Sequence, residues 1–257
     1  MQGIRFNQVL FSYLPTIPVI ENLTFQLDEQ QTIVLLGANG SGKSTFLKLC
    51  FGYLKALQGN ILVRGEEIRG KNPNWIGQHF AYAPQSPIYP YHLTVEDYIL
   101  LGRTPYLSKF MSPSEKDQIA LENVLEQLNI TYLRKRILQE LSGGEQQLSS
   151  FGRVIIQQTP FILLDELVAE LDIKNILNVL RILGELKQKH TIFFSTHDPQ
   201  IAEAIADTII LFKPDHQIEY GKPDMLLTVN NLSKMYGISG EFIQESPIQI
   251  LWKRNQT

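Results

Sequence analysis

The 257-residue chain is 44% hydrophobic and 19% charged, a balance that supports a sizeable core and excludes global disorder. Its 23 Lys and Arg against 26 Asp and Glu leave a formal net charge of -3, which argues against attachment to nucleic acid by bulk charge. The longest apolar runs, Ile33 to Leu36 and Ile209 to Phe212 among them, are strand-sized and far too short to cross a bilayer.

From Met1 to Pro15 no basic segment precedes an apolar one, so no export signal is expected. Ile4 and Phe6, then Leu23, Phe25 and Leu27, alternate as in strands, with Pro15 and Pro18 marking a turn between them. Thr32 to Leu36 is a continuous apolar run, the pattern of a strand buried on both faces of a parallel sheet. It leads into Gly37-Ala38-Asn39-Gly40-Ser41-Gly42-Lys43-Ser44-Thr45, which satisfies G-x-x-x-x-G-K-[ST] between a buried strand and a helix carrying Phe46, Leu47, Leu49 and Cys50. Glycines let the backbone curl so that successive N–H groups face phosphate oxygens, and the helix N-terminus adds partial positive charge. Lys43 can reach the β- and γ-phosphates and Ser44 can offer a hydroxyl to Mg2+, so the chain is expected to bind a nucleoside triphosphate. Cys50, the one cysteine, cannot close an internal disulfide and is expected as a small buried residue in a reducing compartment.

Between Thr94 and Leu141 the pattern turns helical. Ser112-Pro113-Ser114-Glu115 places a cap, a proline and an acid before Ile119, Leu121, Val124, Leu125 and Leu128. Leu141-Ser142-Gly143-Gly144-Glu145-Gln146-Gln147 follows. Ser142 and Glu145 make an S-x-x-E capping box for a helix that ends near Pro160. The box leaves Gly143 and Gly144 unexplained, since each costs about 1 kcal/mol relative to alanine inside a helix. Bare backbone at a helix start suits a second phosphate-binding surface, and with one nucleotide loop per chain its partner would be the loop of another copy.

Phe161 to Leu164 is a second buried run, ending in Asp165 and Glu166. If its end shares a rim with the phosphate loop, one carboxylate can hold Mg2+ and the other can take a proton from water; the plainer alternative is two acids opening the next helix. Ile173, Ile176, Leu177, Leu180 and Leu183 mark one stripe of a helix. Thr191 to Phe194 runs through Ser195 and Thr196 into His197, either a γ-phosphate contact or a cap residue, and Thr208 to Phe212 is the last buried run. Strands alternating with helices give an α/β fold with a mainly parallel sheet.

With the phosphate loop, the acid pair and Leu141 to Gln147 in one chain, the sequence resembles the ATP-binding cassette (ABC) ATPases over essentially its whole length. The resemblance implies a P-loop NTPase core, an N-terminal antiparallel β subdomain and a helical insertion subdomain. Residues 1–93 and 151–220 would form the core, about 94–150 the helical part with the signature, and 221–257 a C-terminal appendage. By position, Gly37, Asn39, Gly40, Ser41, Gly42, Lys43, Ser44 and Thr45 match the Walker A loop, Asp165 the Walker B acid, Glu166 the general base and His197 the switch histidine. Gln85, in Ala81-Tyr82-Ala83-Pro84-Gln85, matches the Q-loop glutamine that touches Mg2+, and Tyr13 the ring that stacks on adenine. Ser142, Gly143, Gly144 and Glu145 match the signature that acts in trans, and Asp172 the D-loop acid. ATP and Mg2+ are the implied ligands, and a head-to-tail homodimer the implied assembly. Two departures stand out: Leu167-Val168-Ala169-Glu170 precedes Leu171-Asp172 where proline, Thr and small residues are usual, and Leu148 replaces a common arginine.

Thr94 to Tyr98, Leu101 to Tyr106, and Leu226 to Gly237 further resemble the cassettes of importers for iron–siderophore, heme and cobalamin ligands, with zinc or manganese importers and, less closely, a non-transport ABC ATPase as alternatives. That implies a peripheral subunit on the cytoplasmic face of the inner membrane, an integral membrane permease as partner, a periplasmic or surface binding protein acting indirectly, and no nucleic acid. The helical insertion, with Gly102 and Arg103, would dock a coupling helix of the permease; Arg103 reads equally as a solvated cation at a helix end.

Overall fold

The computed structural model describes residues 2–14, 17–89, 92–107, 113–214 and 216–237. Pro15, Ser112 and residues 238–257 of the expected appendage lie outside these. The sequence patterns become two sheets with helices between and around them. The first strands, β1 (Gln2–Phe11) and β2 (Ile20–Asp28), pair antiparallel and are followed by β3 (Thr32–Leu36) and α1 (Lys43–Cys50). Then come β4 (Gln58–Val63), β5 (Glu66–Glu67), α2 (Pro73–His79) and β6 (Phe80–Ala83). The helical segment holds α3 (Val95–Leu100), α4 (Glu115–Gln127) and α5 (Gly143–Gln157) with short 3-10 turns between. The chain returns through β7 (Phe161–Asp165), α6 (Ile173–Leu186), β8 (Thr191–Thr196), α7 (Pro199–Ile205), β9 (Thr208–Phe212), β10 (Ile218–Gly221), α8 (Pro223–Leu226) and α9 (Val229–Tyr236).

Among the described residues, β2-β1-β4-β5 form an antiparallel sheet and β10-β9-β3-β8-β7-β6 a mainly parallel one, with β10 antiparallel at its edge. The expected α/β class holds. The parallel strands are buried on both faces, as their unbroken apolar runs imply. Ile33, Leu35, Phe161, Leu163, Phe193 and Ile210 face one core; Val34, Leu36, Ile162, Leu164, Ile192 and Leu211 face the other. Helix α1 lies in the first core, between the sheets. Its fully buried Phe46 meets Phe6, Phe25, Phe193 and Phe212, with ring centroids 5.0 to 6.4 Å apart. Cys50, on the same helix, is buried and burial pushes its thiol well up, as expected of a structural cysteine.

Several local readings need correction. The box that opens α4 is Ser114 with Asp117, not Ser112, because the chain turns helical only after Pro113-Ser114. Of the α6 stripe, Ile176, Leu180 and Leu183 pack against the core beside Val179 and Ile182, whereas Ile173 and Leu177, one edge of the stripe, are 76% and 63% exposed. Helix α5 is continuous across residues 150 and 151, where the sequence division falls. Arg103 is no solvated cation. Its guanidinium donates to Asp117 Oδ1 at 2.7 Å and to the Ile156 carbonyl at 3.1 Å, tying the start of α4 to the end of α5. Gly102 is needed beside it, since a Cβ there would stand 2.3 Å from the Arg153 carbonyl.

Because Phe46 joins both sheets through one side chain, Phe46→Ala should lower the unfolding free energy by about 3–5 kcal/mol, read from the denaturant midpoint.

Candidate functional site

Parallel register brings the carboxyl ends of four strands to one rim: Leu36 pairs with Thr196, Asp165 with Ser195, and Ala83 with Leu164. The order is not the simplest one. Strand β8 stands between β3, which carries the phosphate loop, and β7, which carries the acids, so groups from the two must meet across it.

Beyond β3 the loop turns back through Gly40 and Gly42, with φ of 77° and 105°, a conformation costly for residues with a Cβ. Gly42 caps α1 from this left-handed conformation. Gly37 has another reason to be glycine: a Cβ would come within 2.7 Å of Ser41 Oγ and 2.8 Å of Phe212 Cβ. Lys43, the first helical residue, is buried; its ammonium donates to the Gly37 and Ala38 carbonyls at 2.8 and 3.0 Å and pairs with Glu166 Oε1 at 3.2 Å. Tyr13, Val19, residues 39–45, Gln85 and Glu166 line one open cavity of about 410 Å³ beside this loop. The Tyr13 hydroxyl lies 3.2 Å from Thr45 Oγ1, and its ring, 59% exposed, borders that cavity.

The acids divide the rim between them. Asp165 is buried, with Oδ1 accepting from Ser195 Oγ at 2.6 Å and Oδ2 from the Tyr82 hydroxyl at 3.2 Å. Burial and the neighbouring Asp165 charge push the Tyr82 phenol far up, so it stays a donor. Glu166 has φ 48°, which swings its carboxylate away from the strand direction and toward the loop. There Oε2 accepts from Gln85 Nε2 at 3.0 Å and lies 3.9 Å from His197 Nδ1. The alternative of two acids that merely open the next helix fails: α6 starts at Ile173 and is capped by Asp172, whose Oδ1 accepts from Asn175 N at 2.8 Å.

Ser195 was not among the residues singled out from sequence, yet it holds the pair together. Its Oγ accepts the Glu166 N–H at 2.9 Å while donating to Asp165. The signal was a serine in a fully buried strand, where its hydroxyl must find a polar partner. Tyr82, on β6, was passed over as part of the segment leading to Gln85.

Ser142, Gly143, Gly144 and Glu145 do not line the cavity around the phosphate loop. The capping box is formed as read: Glu145 Oε2 accepts from Ser142 N at 2.9 Å and from Ser142 Oγ at 2.8 Å. The glycines, however, carry a cover. Glu170 Oε2 lies so close that a Cβ on Gly143 would be 1.7 Å from it, and Glu170 N donates to Gln147 Oε1 at 3.2 Å. Leu167 and Val168 of the unusual lead-in are buried in the core, as is Leu148. The four residues 167–170 thus anchor at one end and set an acid over the signature at the other.

Among the described residues no group of three or more His, Cys, Asp or Glu is placed to hold a metal, and no helix is long and apolar enough to cross a membrane. Ser195→Ala would leave both Asp165 Oδ1 and the Glu166 N–H without their buried partner. Thermal unfolding should register a loss of about 1–3 kcal/mol.

Residues 20–169 match the family of ABC transporters. The chain is 35% identical over 228 residues to an uncharacterized ABC transporter ATP-binding protein of Haemophilus influenzae, covering 88% of this chain and 87% of that protein. It is 34% identical over 229 residues to the achromobactin transport ATP-binding protein of Dickeya dadantii, covering 88% and 85%. Among solved structures it resembles a metal-chelate type ABC transporter in an inward-facing conformation, with a TM-score of 0.79, 31% identity, and coverage of 92% of this chain and 90% of that one. The rim geometry and these likenesses agree: the chain belongs to the ABC transporter family, as an ATP-binding subunit and an ATPase.

Proposed function

We propose that the chain is the ATP-hydrolysing subunit of an importer for an iron–siderophore, heme or cobalamin type ligand, working as a head-to-tail dimer on a membrane permease. The observation that carries the catalytic part is the Glu166 carboxylate, held among Lys43, Gln85 and His197 at the mouth of the phosphate-loop cavity. ATP phosphates fit against the N–H groups of Gly40 to Thr45, and Lys43 exchanges loop carbonyls for phosphate oxygens. Glu166 is then the base for the attacking water, and His197 a contact for the γ-phosphate. Tyr13 takes the adenine ring. Ser44, Gln85 and Asp165 line one groove with oxygen donors that would hold a hard cation such as Mg2+, whose charge would offset that of the phosphates.

The second half of each site would come from the other copy: Ser142, Gly143, Gly144 and Glu145 offer a helix start to the γ-phosphate, with Asp172 crossing beside them. Docking to the permease would fall to the helical segment 94–150, at the cytoplasmic face of the membrane, with a periplasmic or surface binding protein acting through the permease. The ligand class rests on the relative named for achromobactin transport and the structure of metal-chelate type. Co-purification with the permease, followed by uptake in vesicles, tests it: ferric siderophore, heme or cobalamin uptake supports the assignment, and zinc or manganese uptake replaces it.

Two substitutions probe the ATP cycle. Glu166→Gln should lower kcat for ATP hydrolysis by at least about 100-fold while leaving ATP binding intact, and should yield an ATP-bound dimer by light scattering; a monomer under saturating ATP would count against the head-to-tail scheme. In that background, Glu170→Ala removes a negative charge from the surface offered to the incoming γ-phosphate. The ATP concentration for half-maximal dimer should fall about two- to five-fold.

A further inference from the structure

We propose that Tyr236, the last residue of α9, is a positioning residue for His197; the inference rests on the reading of His197 as a γ-phosphate contact. The matched family segment, residues 20–169, ends before both His197 and α9.

The imidazole of His197 is exposed, and its ionic partner among the described residues is Glu166 Oε2 at 3.9 Å. Its ring is therefore placed by its backbone rather than by side-chain partners. The backbone is held at one peptide plane. The Tyr236 hydroxyl donates to the His197 carbonyl oxygen at 2.5 Å, and the N–H on the other side of that same peptide, from Asp198, donates to Thr196 Oγ1 at 3.0 Å. A peptide unit is planar, so fixing its oxygen and its N–H together removes the rotation that would swing His197 away from the rim. Thr196 belongs to β8, whereas Tyr236 reaches in from 39 residues downstream.

Helix α9 is a firm base for this contact. Thr228 caps it, accepting from Asn231 N at 3.2 Å, and Asn231 Nδ2 donates to the Leu226 carbonyl at 3.0 Å. Leu232 and Met235 are buried in the core with Leu226 and Leu227. The end of the helix, Lys234 to Gly237, borders one cavity with Ala38 to Ser41, so α9 stands behind the phosphate loop as well as the histidine. Burial, and secondarily the Asp198 charge, push the Tyr236 phenol up to about 12, so it remains a donor at every pH at which the enzyme works.

The test is ATPase kinetics on the full chain with Tyr236→Phe, His197→Ala and the double variant. Phenylalanine keeps the ring and removes only the hydroxyl. The expected result is a kcat lowered about five-fold, the scale of one hydrogen bond, with KM for ATP unchanged within about two-fold and Tm within about 2 °C. In the His197→Ala background the same change should lower kcat no further, because the group it positions is gone. A wild-type kcat for Tyr236→Phe overturns the proposal, and so does an equal loss in both backgrounds, which is what a merely structural role predicts. If His197→Ala alone hydrolyses ATP at the wild-type rate, the reading of His197 fails first and this inference falls with it.

Discussion

The ion pair of Lys43 with Glu166 is the constraint on which the site depends. The two residues come from strands that are not neighbours, since β8 runs between β3 and β7. Glu166 can reach the loop only by leaving strand geometry at once, and its φ of 48° does that at a cost of roughly 1–2 kcal/mol. The intervening strand compensates: Ser195 of β8 takes the turned N–H and at the same time holds Asp165. One residue of strain therefore separates two adjacent acids, leaving Asp165 on the strand axis and Glu166 facing the lysine. A buried lysine and carboxylate facing each other are tolerable because each has further partners, loop carbonyls for Lys43 and the Gln85 amide for Glu166.

What the sequence made legible follows from this arrangement. The phosphate loop could be read because its glycines answer backbone requirements that are local, positive φ at Gly40 and Gly42 and close approach at Gly37. The core strands could be read because both faces are buried, so their middle positions form unbroken apolar runs. The capping box at Ser142 and Glu145 is equally local. Strands β4, β5, β6 and β10 were not legible: β5 has two residues, β6 and β10 four each, and β4 begins with Gln58-Gly59-Asn60. Ser195 and Tyr236 were missed for a different reason. Their importance lies in contacts 29 and 39 residues away, and no periodicity encodes which strand ends will be neighbours. The α6 stripe was legible at Ile176, Leu180 and Leu183, but apolar spacing does not say how wide the buried face is, and Ile173 and Leu177 fall at its exposed edge.

Helix α5 links the parts that lie apart. At its start stand the signature glycines under Glu170; along its length it is fastened to the strand and loop that carry Gln85. Arg153 donates to the Tyr82 carbonyl at 2.5 Å, the Tyr89 hydroxyl donates to the Gln146 carbonyl at 3.1 Å, and Gln157 donates to the Gly77 and Phe80 carbonyls at 2.6 and 2.9 Å. Gly152 sits where α5 presses on Ile99 and Leu128, and a Cβ there would meet Ile99 at 3.0 Å. A helix bonded at several points to β6 cannot shift its N-terminus without moving the segment that follows β6, because each of these bonds is directional and buried or half-buried. Gln85, which touches Glu166, and Ser142 to Glu145 are thereby joined through one helix and its hydrogen bonds to β6 and the segments flanking it. On the proposed reading, this is how one copy's hydrolytic site and the surface it offers to its partner are kept in step, with hydrogen bonds to main-chain carbonyls rather than side-chain charge as the link.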